Sequence, residues 1–305
     1  MILVTGATGN VGGELVRALA GAGQPARALT RDDSPRKWPP GVQQAAGDLN
    51  KPESMAAALA GATAMFLYPG YQDMAGTLAA ARQAGVRRVA MLSGSSAASG
   101  DTSNAVSRYM IESEATVRAC GLEWTMVRSF GFMSNTLQWV PQLAAGDLVR
   151  APFAGVAVAM IDPRDIAAVA AAALTSDGHE GRVYTVSGPE PLRPADRVRI
   201  LGEVLRRDLR FEGQPDDEAR AEMSAAMPAA YVDAFFDFYA TGTLDESQPQ
   251  PDVRDITGRE PRTFAQWAQA HAGAFSPGTR PGPVIPASAV IRKRAVVRAY
   301  QKDRG

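Results

Sequence analysis

Met1-Ile2-Leu3-Val4-Thr5-Gly6-Ala7-Thr8-Gly9-Asn10-Val11-Gly12 opens the chain and decides how the rest is read. An apolar, strand-like run ends at Thr5, glycines fall at positions 6, 9 and 12, and a helical pattern begins at once. Glycine at such turn positions permits backbone dihedrals and a close ligand approach that a Cβ would obstruct. Amides at the start of the following helix then face a pyrophosphate. Glycines in a strand-to-helix turn can also serve packing alone, so the context decides, and here a strand precedes and βα units follow. Gly6, Thr8, Gly9, Asn10, Val11 and Gly12 are therefore candidate residues for binding a dinucleotide.

Outward from this stretch, residues 1–5, 26–30, 42–46, 64–68, 86–92 and 124–128 read as strands. Residues 11–20, 54–59, 73–83 and 104–119 between them carry apolar side chains at helical spacing. Alternation of this kind predicts parallel βαβ units with right-handed crossovers, a doubly wound α/β Rossmann sheet covered on both faces. Pro35, Pro39 and Pro40 leave residues 33–41 little room for a helix. After Arg128 the character changes. A helical stretch runs to Ala145, an apolar helix opens at Pro163, residues 182–187 read as a further strand, and 195–206 and 216–241 as helices. The expected organisation is a Rossmann domain over 1–150, completed by a segment of about 155–190. A smaller α/β substrate lobe then spans 190–275, and an extended, proline-led basic arm spans 276–305.

The composition excludes several classes. The 305 residues carry 32 basic and 32 acidic side chains, a formal charge of zero, which removes the electrostatic case for nucleic acid or an anionic membrane as partner. Cys120 is the only cysteine, so no intrachain disulfide can form, and with two distant histidines, His179 and His271, no metal site is expected. No apolar run is long enough to span a bilayer and no leader precedes the first strand, so a cytoplasmic protein with a small-molecule ligand is the expectation.

At the end of the second strand the chain reads Thr30-Arg31. An acid there accepts from the ribose 2′-hydroxyl of NAD, whereas the 2′-phosphate of NADP calls for a cation. A planar guanidinium meets phosphate through two hydrogen bonds, so NADP(H) is the expected cofactor and NAD(H) the less favoured one. Asp32 and Asp33 are the alternative ribose partners. Asp48 and Leu49, just past the third strand, can bond the adenine amino group and cover its ring, although a turn-capping role for Asp48 fits equally. Tyr68 ends the fourth strand near the middle of the expected cofactor.

These residues, with the stretch 114–135, Ile161-Asp162-Pro163-Arg164-Asp165-Ile166-Ala167, and Thr257-Gly258-Arg259 with Phe264 and Trp267, resemble the NmrA-like group of atypical short-chain dehydrogenases over roughly residues 1–275. The resemblance implies an NAD(P)-binding Rossmann domain with a small lobe, and two fates: NADPH-dependent reduction of quinones or alkenals, or redox sensing through protein partners without turnover. The wider dehydrogenase pattern pairs a tyrosine with a lysine four residues on, and those positions fall near Val106 and Met110. Lysine is absent from 52 to 292, so the dyad is missing rather than displaced. Tyr109, preceded by Arg108, and Ser93 are the candidate catalytic residues that remain, with Ser95 and Ser96 as further hydroxyls.

Hydride addition to an ordinary ketone develops an alkoxide that needs a positioned proton donor, whereas a quinone or conjugated enone yields a delocalised anion that water can protonate. The missing dyad thus favours an NADPH-dependent reductase of a quinone-like or enone aromatic substrate, with a dinucleotide sensor as the alternative. Phe130, Phe132 and Met133 follow the sixth strand, and Tyr231, Phe235, Phe238 and Tyr239 recur at helical spacing. Phe130, Phe132, Met133, Tyr231 and Phe235 are candidate substrate contacts, though such a helical stripe more often packs a core. Asp162 and Asp165, around Pro163, read as helix-capping acids. The basic arm reads as a solvated tail, with contact to a second subunit in a homodimer or to an acidic partner as the alternatives. A role in bacterial secondary metabolism is an expectation of the reductase reading, and the arginine- and alanine-rich composition points only to a GC-rich genome.

Overall fold

In the computed structural model, which describes residues 1–275, β1 (Ile2–Val4) leads through the glycine turn into α1 (Asn10–Gly21). Beside β1 lie β2 (Ala26–Thr30) and β3 (Gln43–Ala46) on one side. On the other lie β4 (Ala64–Leu67), β5 (Arg88–Gly94), β6 (Glu123–Ser129) and, later in the chain, β8 (Arg182–Val186). All six pairings in the order β3-β2-β1-β4-β5-β6-β8 are parallel. The order reverses at β1, which puts the ligand crevice at the C-terminal ends of β1 and β4.

Alternation along β1 divides the core. Ile2 and Val4 face α1 and α6 (Pro163–Thr175), packing with Leu15, Leu19, Ile166 and Val169. Leu3 faces α2 (Ala56–Leu59), α3 (Met74–Gln83) and α4 (Ala105–Arg118), packing with Leu59, Leu78 and Val117. Both faces are thus dry, as a parallel sheet requires. Residues 33–41 form no helix or strand.

The lobe has its own core of Trp139, Leu143, Val149, Leu201, Phe264 and Trp267. It contains α5 (Val140–Ala145), α7 (Pro194–Leu205), α8 (Asp216–Ala226), α9 (Ala229–Tyr239), α11 (Phe264–His271) and a two-stranded parallel sheet of β7 (Leu148–Ala151) and β9 (Arg210–Gly213). Two boundaries differ from expectation. Residues 140–151, assigned with the sheet unit, pack with the lobe because Val140, Leu143 and Val149 bury there. Conversely α10 (Asp252–Thr257) returns to the Rossmann face, burying Val253 in the α1–α6 core. Both helices are too short to announce their partners by periodicity. The expected arm and its subunit contact lie outside the described residues. Among the described residues no helix is long and apolar enough to cross a membrane, and no His, Cys, Asp or Glu cluster suits a metal ion.

Candidate cofactor and substrate site

The first turn of α1 is the only part of the site whose construction the glycines alone explain. Gly6 has φ +60°, a left-handed conformation that costs other residues about 1–2 kcal/mol, and its carbonyl accepts from the Gly9 amide at 2.8 Å. A Cβ on Gly12 would overlap the Gly6 carbonyl oxygen and stand 2.7 Å from its carbon. Gly12 therefore lets helix and turn touch. Gly9 caps α1 in an extended conformation with no side-chain cap and no acid in the first turn. Asp73, Asn104, Asp162 and Thr263 cap α3, α4, α6 and α11. Helix α1 shares its open start with α5, α8, α9 and α10 and differs from them in following the glycine turn at the sheet's switch point. Leaving α1 uncapped presents its amides and positive dipole end to an anion, so these residues fit a pyrophosphate. Asn10 points elsewhere: its Nδ2 donates to Ser134 Oγ at 2.9 Å, tying the turn to the segment after β6.

A cleft of about 480 Å³ opens against Thr8, Asn10 and Arg17, roofed by Arg36, Lys37 and Trp38. Trp38 is pinned by a 2.8 Å bond from its Nε1 to Gln44 Oε1. Arg36 and Lys37 were not singled out in the sequence. The signal was there: a cationic pair held in an irregular, proline-bounded crossover beside the switch point. Arg31 is exposed directly after β2, and its charge and that of Asp48 both bear on Tyr71, whose phenol burial pushes up to about 12. The loops after β3 and β4 meet there, the Gln72 amide donating to Asn50 Oδ1 at 3.1 Å. Asp48 Oδ1 accepts from the Asn50 amide at 3.0 Å and Asn50 Nδ2 at 3.2 Å, so that oxygen closes a turn. Leu49 is buried in the core beneath β2 and β3 and packs rather than covering a ring.

Tyr68 lies over Gly6, its Cβ 3.4 Å from where a Gly6 Cβ would stand, and its amide donates to the buried Thr5 Oγ1 at 2.8 Å. Burial raises its phenol pKa. Tyr109 projects from α4 toward the same strand end, where a Cβ on Gly70 would overlap its hydroxyl. That hydroxyl is buried and has no hydrogen-bond partner among the described residues. Burial first, then Tyr68, Tyr231 and Tyr71, hold its pKa well above the ordinary value, so it is a neutral donor rather than a phenolate. Arg108 does not assist it: the guanidinium donates to the Thr102 carbonyl at 3.1 Å and acts on Tyr231 instead. At the place of the missing lysine, Met110 lies against Gly94, with its Cγ 3.6 Å from where a glycine Cβ would stand.

Ser93 is not available for catalysis. Its hydroxyl donates at 2.7 Å to Glu114, a buried carboxylate also held by Arg128 through two 2.8 Å bonds and by Arg118 at 2.8 Å. Burial alone would raise the Glu114 pKa, but Arg128, Ser93 and Arg118 hold it below the usual range. This network joins α4 to β6. Phe130 and Met133 are buried, Met133 in the lobe core, and cannot line an open site. Phe132, Tyr231 and Phe235 are half-buried, and Phe235 stacks on Tyr239 at 6.4 Å between centroids. Asp162 and Asp165 are structural: Asp162 caps α6 and pairs with Arg262 at 2.6 Å, while Asp165 accepts the Arg262 amide at 2.7 Å.

Fold and turn together define a dinucleotide-binding Rossmann protein with a lobe over the C-terminal edge of its sheet. The family model described as NAD(P)H-binding matches residues 6–177, and the chain belongs to that family. It is 41% identical over 286 residues to a (4-alkanoyl-5-oxo-2,5-dihydrofuran-3-yl)methyl phosphate reductase of Streptomyces griseus, covering 91% of this chain and all of that one. It is 38% identical over 284 residues to an NAD(P)H azoreductase of Xenophilus azovorans, covering 90% and 99%. In structure it is similar to the NADPH-dependent quinone oxidoreductase QOR2 of Escherichia coli, with TM-score 0.72, 21% identity and coverage of 90% and 100%, a likeness of fold.

Proposed function

We propose that this NAD(P)H-dependent oxidoreductase reduces a planar conjugated acceptor: a quinone, an alkene conjugated with a carbonyl, or an azo compound. The observation that carries the reading is the phenol of Tyr109: buried, neutral, and without any lysine or arginine to lower its pKa. Bound NAD(P)H supplies hydride. The chain's own contribution is to hold the pyrophosphate on the uncapped start of α1 and to present neutral donors, Tyr109 among them, where the acceptor takes up negative charge. An alkoxide-forming ketone would be served poorly by such donors, whereas a delocalised anion needs little more.

The relatives agree in kind. One is named for a ring alkene flanked by an alkanoyl and a lactone carbonyl, the other for an azo compound. Phe132, Tyr231 and Phe235 are the accessible aromatics for such a ligand. The 2′-phosphate of NADPH is assigned to Arg31, with Arg36 and Lys37 close by. The test is purified full-length chain with NADPH and a panel of a simple benzoquinone, an azo dye, an acyl-butenolide and an unconjugated ketone, followed by loss of NADPH absorbance. Turnover of conjugated members at least 100-fold above the ketone is expected. Equal rates, or tight NADPH binding with no turnover on any member, would refute it, the latter in favour of a sensing role.

A further inference from the structure

Glu246 lies in the loop after α9, far in sequence from every motif, yet it is buried at the C-terminal edge of the main sheet. Ser95, the first residue after β5, places its Oγ 2.5 Å from Glu246 Oε1. Gly131, two residues past β6, donates its amide to Oε2 at 3.3 Å, and the Tyr239 hydroxyl donates to the same oxygen at 3.5 Å. The backbone is anchored as well, the Ala159 amide donating to the Glu246 carbonyl at 2.8 Å. Val158 and Met160 also meet the carboxyl's edge at Gly131, and among the described residues no lysine, arginine or histidine pairs with it. Asp245 beside it adds negative charge, and Arg197 acts on Tyr239 behind it. Arg197 is itself buried, with its guanidinium 5.1 Å from the Trp139 ring and its Nε without a partner. An unpaired buried carboxylate is costly, so such a group takes up a proton instead. Burial pushes Glu246 up to about 7, in the range useful for acid–base work at neutral pH.

We propose that Glu246 is the positioning acid of this site, returning a proton through the half-exposed Ser95 hydroxyl to the acceptor once the acceptor has taken up hydride. This rests on the reductase reading above. With the carboxyl protonated, the pair inverts its hydrogen bond: Glu246 donates to Ser95 Oγ, and the serine proton turns toward the acceptor. The conjugated double bond of the acceptor is replaced by one bond to the hydride hydrogen, leaving an electron pair. That pair takes the Ser95 proton, Ser95 takes the Glu246 proton, and the carboxylate regains one from water after product leaves. One hydride and one proton are consumed per acceptor. The lobe thereby supplies the sheet edge with a proton for a delocalised anion, delivered by a serine hydroxyl rather than by a lysine-tuned phenol.

The test uses the full chain and Glu246→Gln, Ser95→Ala and the double variant. Infrared titration of the cofactor-free protein should show a protonated-carboxyl band that disappears with a midpoint near pH 7 and is absent in Glu246→Gln. With NADPH and a conjugated acceptor, wild-type kcat should fall about tenfold per pH unit above the apparent pKa. Glu246→Gln should have kcat lowered at least tenfold with a flat profile and KM changed less than threefold. The double variant should lose no more than the worse single one, since the two act in series. If Glu246→Gln fails to fold, Ser95→Ala carries the same expectation for kcat and profile. A wild-type chain with no such band, or variants that keep the wild-type pH limb and kcat within twofold, would overturn the role while conjugated acceptors still turn over. Loss of turnover on every acceptor with the band present would overturn the reductase reading beneath it.

Discussion

Replacing Gly12 by alanine should destabilise the protein and uncouple it from its cofactor, while the same change one residue later should do neither. At Gly12 the new methyl would overlap the Gly6 carbonyl oxygen and sit 2.7 Å from its carbon and 3.0 Å from the Ala7 amide nitrogen, where ordinary contact begins at 3.4 Å. These are backbone atoms, so turn and helix must part by most of an ångström. Overpacking of that kind costs about 1–3 kcal/mol, offset by the roughly 0.5–1 kcal/mol that alanine gains over glycine in a helix. At Gly13 the nearest atom is the Ala7 carbonyl oxygen at 3.4 Å, and the next are the flexible Arg17 tips at 3.8 Å, so only the helix gain operates. The net cost at Gly12 is about 0–2.5 kcal/mol. With roughly 2–4 °C per kcal/mol for a chain of this order of size, Gly12→Ala should melt up to about 10 °C below wild type and Gly13→Ala about 1–4 °C above it. Thermal unfolding with and without NADPH reads both effects. At a hundredfold excess over Kd a ligand adds about 2.7 kcal/mol, and Gly12→Ala should lose most of that increment because the carbonyl it displaces shapes the anion-binding turn. Identical melting of the two variants, or a full NADPH increment in Gly12→Ala, would refute the reasoning.

Three further outcomes follow from the same geometry. Glu114→Gln should cost about 3 kcal/mol, the usual scale for stranding one partner of a buried ion pair, since Arg128 and Arg118 lose their carboxylate. Because the folded Glu114 pKa is lowered from 4.5, that stability is present above the unfolded pKa and lost as pH falls through the folded one. The gap to wild type in denaturant titrations should therefore narrow below about pH 4.5, and a constant gap would contradict it. Tyr109→Phe removes a buried hydroxyl without a partner, so Tm should hold or rise while kcat/KM falls about tenfold; a drop in Tm of more than 2 °C would show that the hydroxyl is bonded in the free protein. Arg31→Asp should weaken NADPH binding at least tenfold and NADH binding less than threefold by calorimetry, and equal losses would move the 2′-phosphate to Arg36 and Lys37.

Much of the Rossmann unit was legible in the sequence because its signals are local. Glycines at 6, 9 and 12 are demanded by one turn, β-prone runs of five to seven residues alternate with helical ones, and a proline-bounded crossover declares itself irregular. The absence of lysine over 52–292 was equally plain, and with it the loss of the usual dyad. Side-chain direction was less readable. Ser93 and Ser95 are two positions apart and look alike, yet Ser93 is consumed by the Glu114 ion pair while Ser95 meets Glu246. Leu49, Phe130 and Met133 looked placed for ligand and are buried in packing.

By itself, then, the order of residues determined the doubly wound sheet, the pyrophosphate turn and the chemistry that is missing. It could do so because backbone dihedrals, hydrophobic period and composition act over a few residues at a time. Only the tertiary structure decided what stands at the sheet edge in place of the missing dyad. Tyr109 is neutral because it is buried among other phenols, and Glu246 is an acid because a loop of the lobe, more than a hundred residues from β5 and β6, leaves its carboxyl unpaired against them. Desolvation and pairing are properties of an environment assembled from distant segments, and no local pattern records them.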